Sequence, residues 1–476
     1  MSPYLIIIII AIYFFALYGI SYVTGKNANN STFFIGNRKS PWYLVAFGMI
    51  GASISGVSFI SVPGWVGTTH FSYLQMVLGY LAGYFIIGSI LMPLYFRMNL
   101  TSIYAYLGIR FGPVSNKTGS SFFLLSRIVG SAFRLFLSAN VLQIALFSHL
   151  GIPFWMTVLI VIFFIYIFTY KGGIRTVVFT DTIQTAFMLA SLVSCIIILG
   201  HKLGLDFKSL MKTVYQSEYS KVFYFDNWAD KKHFLKQFLS GAFIAITMTG
   251  LDQDLMQKNL SCKNLKEAQK NMFWFSLSLI PVNILFLSLG AVLFIFTSAT
   301  GFPVPARPDD LFPAIAMQSF MPAIFSMIFI LGLVSTTYSS ADSALTALTT
   351  SFTIDILGAA KKGEEKLAKT RKMVHILMAL MLVVLILIFK ILNNQSVISA
   401  VFTAAGYTYG PLLGMFAFGL FTKWQVYDSF VPYISIASPI ICLALNYGFP
   451  GYFGFEIIII NGALTFLGLF AIRKKY

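Results

Sequence analysis

Thirteen apolar segments, each long enough to cross a lipid bilayer as a helix, make up most of the chain. Roughly 20 apolar residues span the hydrocarbon core, where only helices or closed barrels satisfy their own backbone groups. Of the 476 residues, 58% are hydrophobic and 10% are charged. A soluble domain carries roughly 25% charged residues, so the sequence predicts an all-α polytopic membrane protein. The segments lie at about 3–23, 42–66, 73–96, 120–149, 152–170, 176–200, 234–256, 270–297, 320–352, 373–391, 397–421, 428–448 and 453–472.

The basic residues between the segments predict how the chain is oriented. Cytoplasmic loops of membrane proteins carry an excess of Lys and Arg. If the N-terminus is outside, the cytoplasmic loops hold most of the 33 Lys and Arg residues, including Lys258 and the cluster at 361–372. We therefore predict a protein of the inner or plasma membrane with an external N-terminus, a cytoplasmic C-terminus and an odd number of spans. The net charge of +17 then requires no nucleic-acid partner.

The sequence shows no pattern typical of an enzyme or of a secreted disulfide-linked protein. Cys195, Cys262 and Cys442 are scattered, so they predict neither a disulfide framework nor a metal site. The five histidines are isolated, and no nucleophile–base arrangement is visible. The first segment lacks a preceding basic region and a cleavage site, so we expect it to remain as a membrane helix. We predict that the protein is not an enzyme.

The segment at 42–66 has the composition of a broken helix. Its stretch 48–64 contains four glycines, four serines and Pro63. Gly and Pro weaken the helical hydrogen-bond ladder, and carbonyls freed in hydrocarbon need a partner such as protein, water or an ion. Secondary transporters use such breaks to bind ions and solute near the membrane midplane. The alternative is a close helix–helix contact, since small residues also let helices approach each other.

Ionisable residues inside the segments are a second indication of function, because they are costly in hydrocarbon. Arg134 and Asp181 each lie within an apolar segment. Asp342 shares one helical face with the hydroxyl residues at positions 335, 339, 343 and 346. Hydroxyls and a carboxylate are hard oxygen ligands of the kind that suits Na⁺. Hydrogen bonding between helices would also explain the hydroxyls, but it explains Asp342 poorly.

Four motifs follow one another along the chain. They are Gly172-Gly173 with Thr180-Asp181-x-x-Gln184, Gly250-x-Asp252-Gln253-x-x-x-Gln257-Lys258, Ser339-Ser340-Ala341-Asp342-Ser343, and Gly410-Pro411-Leu412-Leu413-Gly414. In this order and at this spacing they resemble the sodium/solute symporter family, with bacterial sialic acid and sodium/galactose symporters nearest in motif.

The resemblance implies a LeuT-type fold of about 13 transmembrane helices. Two inverted repeats of five helices would be preceded by one extra N-terminal helix and followed by two extra C-terminal helices. The second and seventh helices would be broken. The single transporter domain, 1–476, would divide into an N-terminal helix and loop (1–40), a first repeat (41–200), an extracellular loop (201–233), a second repeat (234–421) and two C-terminal helices (422–476).

The resemblance also implies two sodium sites. The ligands of the main site would be backbone carbonyls of Gly51, Ile54 and Thr336 and hydroxyls of Ser339 and Ser340. The ligands of a second site, found in some members, would be Asp181, Ser339, Asp342 and Ser343. The sialic acid relative has a serine where this chain has Asp342. The extra carboxylate could strengthen the second site, or it could be protonated or paired with a cation.

The solute pocket is implied beside the break. Ser53, Ser55 and Ser58 would line it, and Arg134 aligns with the arginine that binds a carboxylate in the sialic acid relative. A planar guanidinium fits a carboxylate through two hydrogen bonds, which favours an anionic solute. The alternative is a structural ion pair between Arg134 and one of the two aspartates, Asp181 or Asp342.

The predicted function is a sodium-coupled symporter that imports a small organic solute by alternating access. The solute would be a sugar acid, a sialic acid or a monocarboxylate, with a neutral sugar or another polyol as the alternative. An uncoupled channel or uniporter, or a transporter-like membrane sensor, is the alternative from another class. Asp252 and Asp254 are interpreted as an inner gate or as partners of nearby lysines. The expected partners are the solute, Na⁺ and membrane lipid, without nucleic acid, and a monomer should suffice for transport.

Overall fold

A computed structural model describes residues 3–26, 29–170, 173–392 and 397–474, which are mostly helical. The first half contains α1 (Pro3–Gly25), α2 (Asn30–Ile35), α3 (Trp42–Ser53), α4 (Gly56–Thr69), α5 (Tyr73–Ile86), α6 (Met92–Arg97), α7 (Ala105–Arg110), α8 (Pro113–Leu142), α9 (Phe154–Thr169) and α10 (Ile174–Lys202). The second half contains α11 (Phe207–Gln216), α12 (Phe234–Ala245), α13 (Gln253–Leu260), α14 (Leu265–Thr300), α15 (Leu311–Ala316), α16 (Ala323–Ser351), α17 (Glu364–Leu392), α18 (Val397–Thr408), α19 (Gly410–Phe421), α20 (Val431–Gly448) and α21 (Ile457–Ala471). Each predicted apolar segment is largely helical, which confirms the all-α class. Gly172 of the first motif lies outside the described residues.

The helices differ in how well they meet the length and hydropathy of a membrane span. Among the described residues, seven helical stretches meet both criteria on their own, and α12 with α13 makes an eighth, bent span if the pair is counted as one. The stretch Gly56–Arg97 has 42 residues, which at about 1.5 Å per residue is twice the thickness of the hydrocarbon core. This stretch is divided at His70, the residue that follows α4, which has a φ of 54°. Five shorter apolar helices correspond to other predicted segments, and the count of thirteen crossings remains a prediction.

In the part of the chain that the structure describes, two helices are broken inside the bundle, as the sequence predicted. The helix α3 ends at Ser53, and Ile54 and Ser55 leave the helical conformation before α4 begins. In the second half, α12 continues through the π-helical turn Ile246–Gly250, and α13 then departs at an angle of 64°. Asp252 caps α13 by accepting a hydrogen bond from the backbone N–H two residues later, at 2.8 Å. Both breaks are buried in protein, where non-helical backbone is tolerated at membrane depth.

The helix α10 packs against both α3 and α16, close to the first break. A Cβ at Gly48 would lie 2.9 Å from the Cβ of Asp181, and a Cβ at Gly51 would overlap the hydroxyl of Thr185. The Gly51 N–H donates to that hydroxyl at 3.1 Å. Both interpretations of the glycine-rich stretch are therefore right at different residues: small residues allow close packing at Gly48 and Gly51, and the helix breaks at Ile54.

Glycines also mediate the contact between α5 and α12. A Cβ at Gly79 would overlap the carbonyl oxygen of Phe238, and a Cβ at Gly241 would overlap that of Met76. We expect Gly79→Ala to lower the free energy of unfolding by about 2 kcal/mol, because a backbone carbonyl can retreat only if the helices separate. The midpoint of thermal unfolding in detergent measures the loss. Gly130→Ala is the matched control, since nothing lies within 4 Å of a Cβ there; equal losses in both variants would contradict the prediction.

Candidate ion and solute sites

The end of α3 presents backbone carbonyls that the helix itself leaves without partners. In a continuous helix, the carbonyls of Gly51 and Ile54 would accept hydrogen bonds from residues 55 and 58. The break removes both bonds, and no other donor of residues 3–26, 29–170, 173–392 and 397–474 replaces them. Both residues are buried. Their carbonyls are therefore available to a hard cation, as predicted for the main sodium site.

The helix α16 supplies the facing side of the predicted main site. Thr336, Ser339 and Ser340 are all buried. The Ser340 hydroxyl donates to a carbonyl of its own helix at 3.2 Å, and a donating hydroxyl keeps lone pairs for a cation. A Cβ on Gly56, the first residue of α4, would lie 3.4 Å from the Thr336 hydroxyl. The broken helix and α16 thus meet where the sequence placed the site, and the ligation itself stays a prediction.

The residues predicted for the second sodium site lie together between α10 and α16. The Ser339 hydroxyl donates to Asp181 Oδ1 at 2.5 Å, and the Thr180 hydroxyl donates to Asp342 Oδ2 at 3.4 Å. Asp342 Oδ1 and the Ser343 hydroxyl have no hydrogen-bond partner within the described part of the chain. Buried polar atoms without partners are costly. This arrangement therefore favours an ion, a proton or water beside Asp342.

Lys258 enters the same cluster, which the sequence did not predict. Its Nζ lies 2.6 Å from Asp181 Oδ2, and both side chains are 1% exposed. The placement of Lys258 in a cytoplasmic loop was wrong, because α13 bends by 64° at the break and carries this residue into the protein. A buried carboxylate needs a counter-charge, so the position of Asp181 in an apolar segment could have indicated that a cation lies near it. The sequence alone could not show which of many cations supplies it.

A cavity lies beside the break between α3 and α4. All four residues predicted to bind solute line it, namely Ser53, Ser55, Ser58 and Arg134. Serine hydroxyls can donate or accept, whereas a guanidinium only donates and is always charged. The cavity wall can therefore bind a molecule that combines hydroxyl or carbonyl groups with a negative charge.

Arg134 is the cation of this cavity that has no carboxylate partner within the described ranges. Asp181 is taken by Lys258, and the neighbouring Arg127 is taken by the aspartates that follow α12. The alternative of a structural ion pair between Arg134 and Asp181 or Asp342 is therefore wrong. An unpaired guanidinium in a largely buried cavity is poised to pair with an anion from outside.

An ion-pair cluster adjoins the cavity. Arg127 of α8 lines the cavity and pairs with Asp254, and its Nη1 lies 3.8 Å from Asp252 Oδ2. The hydroxyl of Tyr409 donates to the same Asp252 oxygen. The interpretation of Asp252 and Asp254 as partners of nearby lysines is therefore wrong. Their partner is an arginine from another helix, because α8 passes beside the second break.

Three tyrosines of α5 also line the cavity, and the sequence analysis missed them. Tyr73, Tyr80 and Tyr84 are seven and four residues apart, so they share one helical face. That spacing was the signal that could have identified them. Their rings give the cavity an apolar surface beside the serines, and their hydroxyls add further donors.

These features define the class of protein: a secondary transporter, with two broken helices among the described residues, carbonyl and hydroxyl oxygens that suit a hard cation, and a polar cavity beside the first break. The family model described as Sodium:solute symporter family matches residues 33–426. The chain therefore belongs to the sodium:solute symporter family. It is a multi-pass membrane transporter of a small solute with Na⁺ as coupling ion, and it is not an enzyme, as the sequence predicted.

Individual relatives support the same conclusion. The sodium/sialic acid symporter SiaT of Proteus mirabilis is 25% identical over 474 residues, covering 95% of this chain and 92% of the relative. The mouse sodium-coupled monocarboxylate transporter 2 is 23% identical, covering 84% of this chain and 65% of the relative. A Na⁺-coupled sialic acid symporter, solved substrate-bound and outward-open, has a TM-score of 0.83 at 22% identity over 99% of each chain. This likeness confirms the LeuT-type fold, while the repeat boundaries remain a prediction.

Proposed function

We propose that the protein imports a small organic anion with a carboxylate group, together with Na⁺, by alternating access. The single observation that carries this proposal is Arg134, a guanidinium without a carboxylate partner among the described residues, in a cavity that three serines also line. Sugar acids, sialic acids and monocarboxylates share the required chemistry. The names of the relatives, which include sialic acid and monocarboxylate symporters, support this choice.

Sodium acts in the proposal by joining two helices. An ion bound to the carbonyls of Gly51 and Ile54 and to the oxygens of Thr336, Ser339 and Ser340 links the broken helix to α16. This link favours the outward-open state and completes the cavity. The inward concentration gradient of Na⁺ drives uptake of the solute, and the membrane potential adds about 2.3 kcal/mol per 100 mV for each net positive charge that moves inward. The plasma membrane, with the N-terminus outside and the C-terminus inside, is the proposed location, and one copy of the chain suffices.

A neutral sugar or polyol is the second candidate solute. The tyrosine face of the cavity, made by Tyr73, Tyr80 and Tyr84, is the observation that favours it, because aromatic rings pack well against the apolar faces of flat or cyclic solutes. A neutral solute would leave Arg134 without a counter-charge. Because an unpaired buried cation is costly, the anion remains the first candidate.

A thermal-shift panel tests the proposal directly. The purified protein is heated with monocarboxylates, sugar acids, sialic acid or neutral sugars, each in NaCl and in choline chloride. We expect stabilisation by a carboxylate that requires Na⁺. Stabilisation by neutral sugars alone would establish the second candidate, and stabilisation that is equal in choline would contradict sodium coupling. Uptake of the stabilising solute into proteoliposomes separates a symporter from a uniporter.

The ion-pair cluster beneath the cavity is expected to keep the inner end closed. Asp254→Asn removes one of the two charges that pair with Arg127, and a buried cation with incomplete compensation destabilises the closed arrangement. We expect the variant to shift toward the inward-open state. The measurement is labelling of Leu255→Cys, a cavity position, by a maleimide applied from the cytoplasmic side. Asp310→Asn is the matched control because its pair with Arg307 is exposed; unchanged labelling in Asp254→Asn would count against the gate.

A further inference from the structure

Lys258 is a cation held entirely inside the protein. Its side chain is 1% exposed, as is that of Asp181, and 2.6 Å separates Nζ from Asp181 Oδ2. An ammonium is buried at this depth only when a carboxylate compensates its charge. Asp181 is held from its other side, where Oδ1 accepts the Ser339 hydroxyl at 2.5 Å. Both oxygens of this carboxylate are therefore occupied by groups of the chain itself.

The ammonium lies among the same oxygens that the sequence analysis assigned to a second sodium ion. Asp181 and Ser339 belong to that set, and Asp342 is within electrostatic reach of both Lys258 and Asp181. An ammonium and a sodium ion carry the same single charge and take similar oxygen partners, at about 2.3–2.9 Å. Two cations on one carboxylate would repel each other strongly, because the site is buried and its effective dielectric constant is low. The two occupants are therefore mutually exclusive at Asp181.

We propose that the Lys258 ammonium is the permanent cation of this second site, so that the transport cycle uses one sodium ion, bound at the main site. This inference rests on the proposed function, since it presumes the main site. A lysine that is part of the chain compensates the charge of Asp181 between α10, α13 and α16 without drawing on the sodium gradient. The cluster then has a fixed structural charge where a second exchangeable ion would otherwise bind.

Lys258 also connects the second site to the main one. Ser339 is a predicted ligand of the main site and donates to Asp181, while Lys258 belongs to α13, the inner half of the second broken helix. A continuous chain of contacts therefore runs from the main site through Ser339 and Asp181 to α13.

Equilibrium binding of radioactive sodium to the purified protein tests the inference with Na⁺ alone as the probe. We expect the native protein to bind one sodium ion with a Hill coefficient near one. Lys258→Met frees the oxygens of Asp181, so this variant should bind two sodium ions with a steeper titration, and its thermal stability should become strongly dependent on Na⁺. Lys258→Arg is the matched control that retains the charge, and it should bind one ion.

The outcomes separate this inference from the proposed function. Two sodium ions on the native protein, or a single ion on a folded Lys258→Met variant, would overturn the inference and leave sodium coupling intact. No sodium on the native protein would overturn the proposed function itself. Should Lys258→Met fold only when Na⁺ is present, the inference is supported, because the ion then replaces the missing ammonium. If this variant folds neither with nor without Na⁺, the number of sodium ions bound to the native protein decides whether the inference holds.

Discussion

Replacing Arg134 by alanine is expected to weaken binding of the carboxylate solute about 100-fold. Hydrogen bonds that involve a charged group contribute roughly 1.5–3 kcal/mol, and about 2.8 kcal/mol corresponds to 100-fold in affinity. The guanidinium has no carboxylate partner among the described residues that could hold it away from the solute. Isothermal titration of the solute identified by the thermal-shift panel, in saturating Na⁺, measures the loss.

Arg134→Lys separates geometry from charge in this experiment. Lysine keeps the positive charge but lacks the planar pair of donors, so we expect an intermediate affinity. Sodium binding in the absence of solute should be unchanged in both variants, because Arg134 lies in the cavity wall and not among the predicted ion ligands. If Arg134→Ala bound the anion as tightly as the native protein, the carboxylate assignment would be wrong.

Ser340→Ala is expected to lower sodium affinity by one to two orders of magnitude. Removing even an indirect partner of a metal ligand typically costs roughly 10–100-fold in affinity, and the Ser340 hydroxyl is a predicted direct ligand. It is a cleaner choice than Ser339, whose hydroxyl also bonds to Asp181. The measurement is the sodium concentration that gives half-maximal uptake or stabilisation. Solute affinity in saturating Na⁺ should recover, because the cavity residues are unchanged.

Ser438→Ala provides the matched control for this variant. Ser438 is equally buried and its hydroxyl bonds to Thr465 at 2.7 Å, but it lies on α20, outside the two broken helices and α16. Its loss should cost some stability without changing sodium dependence. Equal sodium dependence in Ser340→Ala and in the native protein would remove Ser340 from the main site.

The family and the parts of the site that lie along single segments could be predicted from the sequence. Glycines and serines at 48–64 predicted the first break because they weaken a membrane helix locally. The hydroxyl stripe around Ser339 followed from helical spacing. The serines and Arg134 line one cavity, as predicted, because most of them are neighbours in the broken stretch.

The pairing of charges could not be predicted in the same way. Lys258 was placed in a loop and Asp254 was given a lysine partner, and both expectations were wrong. Each depends on the direction that α13 takes after the break, an angle of 64° that no local pattern encodes. The tyrosines of α5 were missed for a related reason, since an aromatic face is equally compatible with lipid or with a cavity.

The sequence by itself determined the class of fold, the helical segments, the position of the first break and the family, because hydropathy, helical period and motif spacing are properties of a single chain segment. The tertiary structure alone decided which cation pairs with which carboxylate. Lys258 pairs with Asp181, Arg127 pairs with Asp254, and Arg134 lines the cavity without a carboxylate partner among the described residues. The physical reason is that a buried charge must be compensated by whichever opposite charge the packing brings near it, and packing depends on contacts between helices far apart in the sequence.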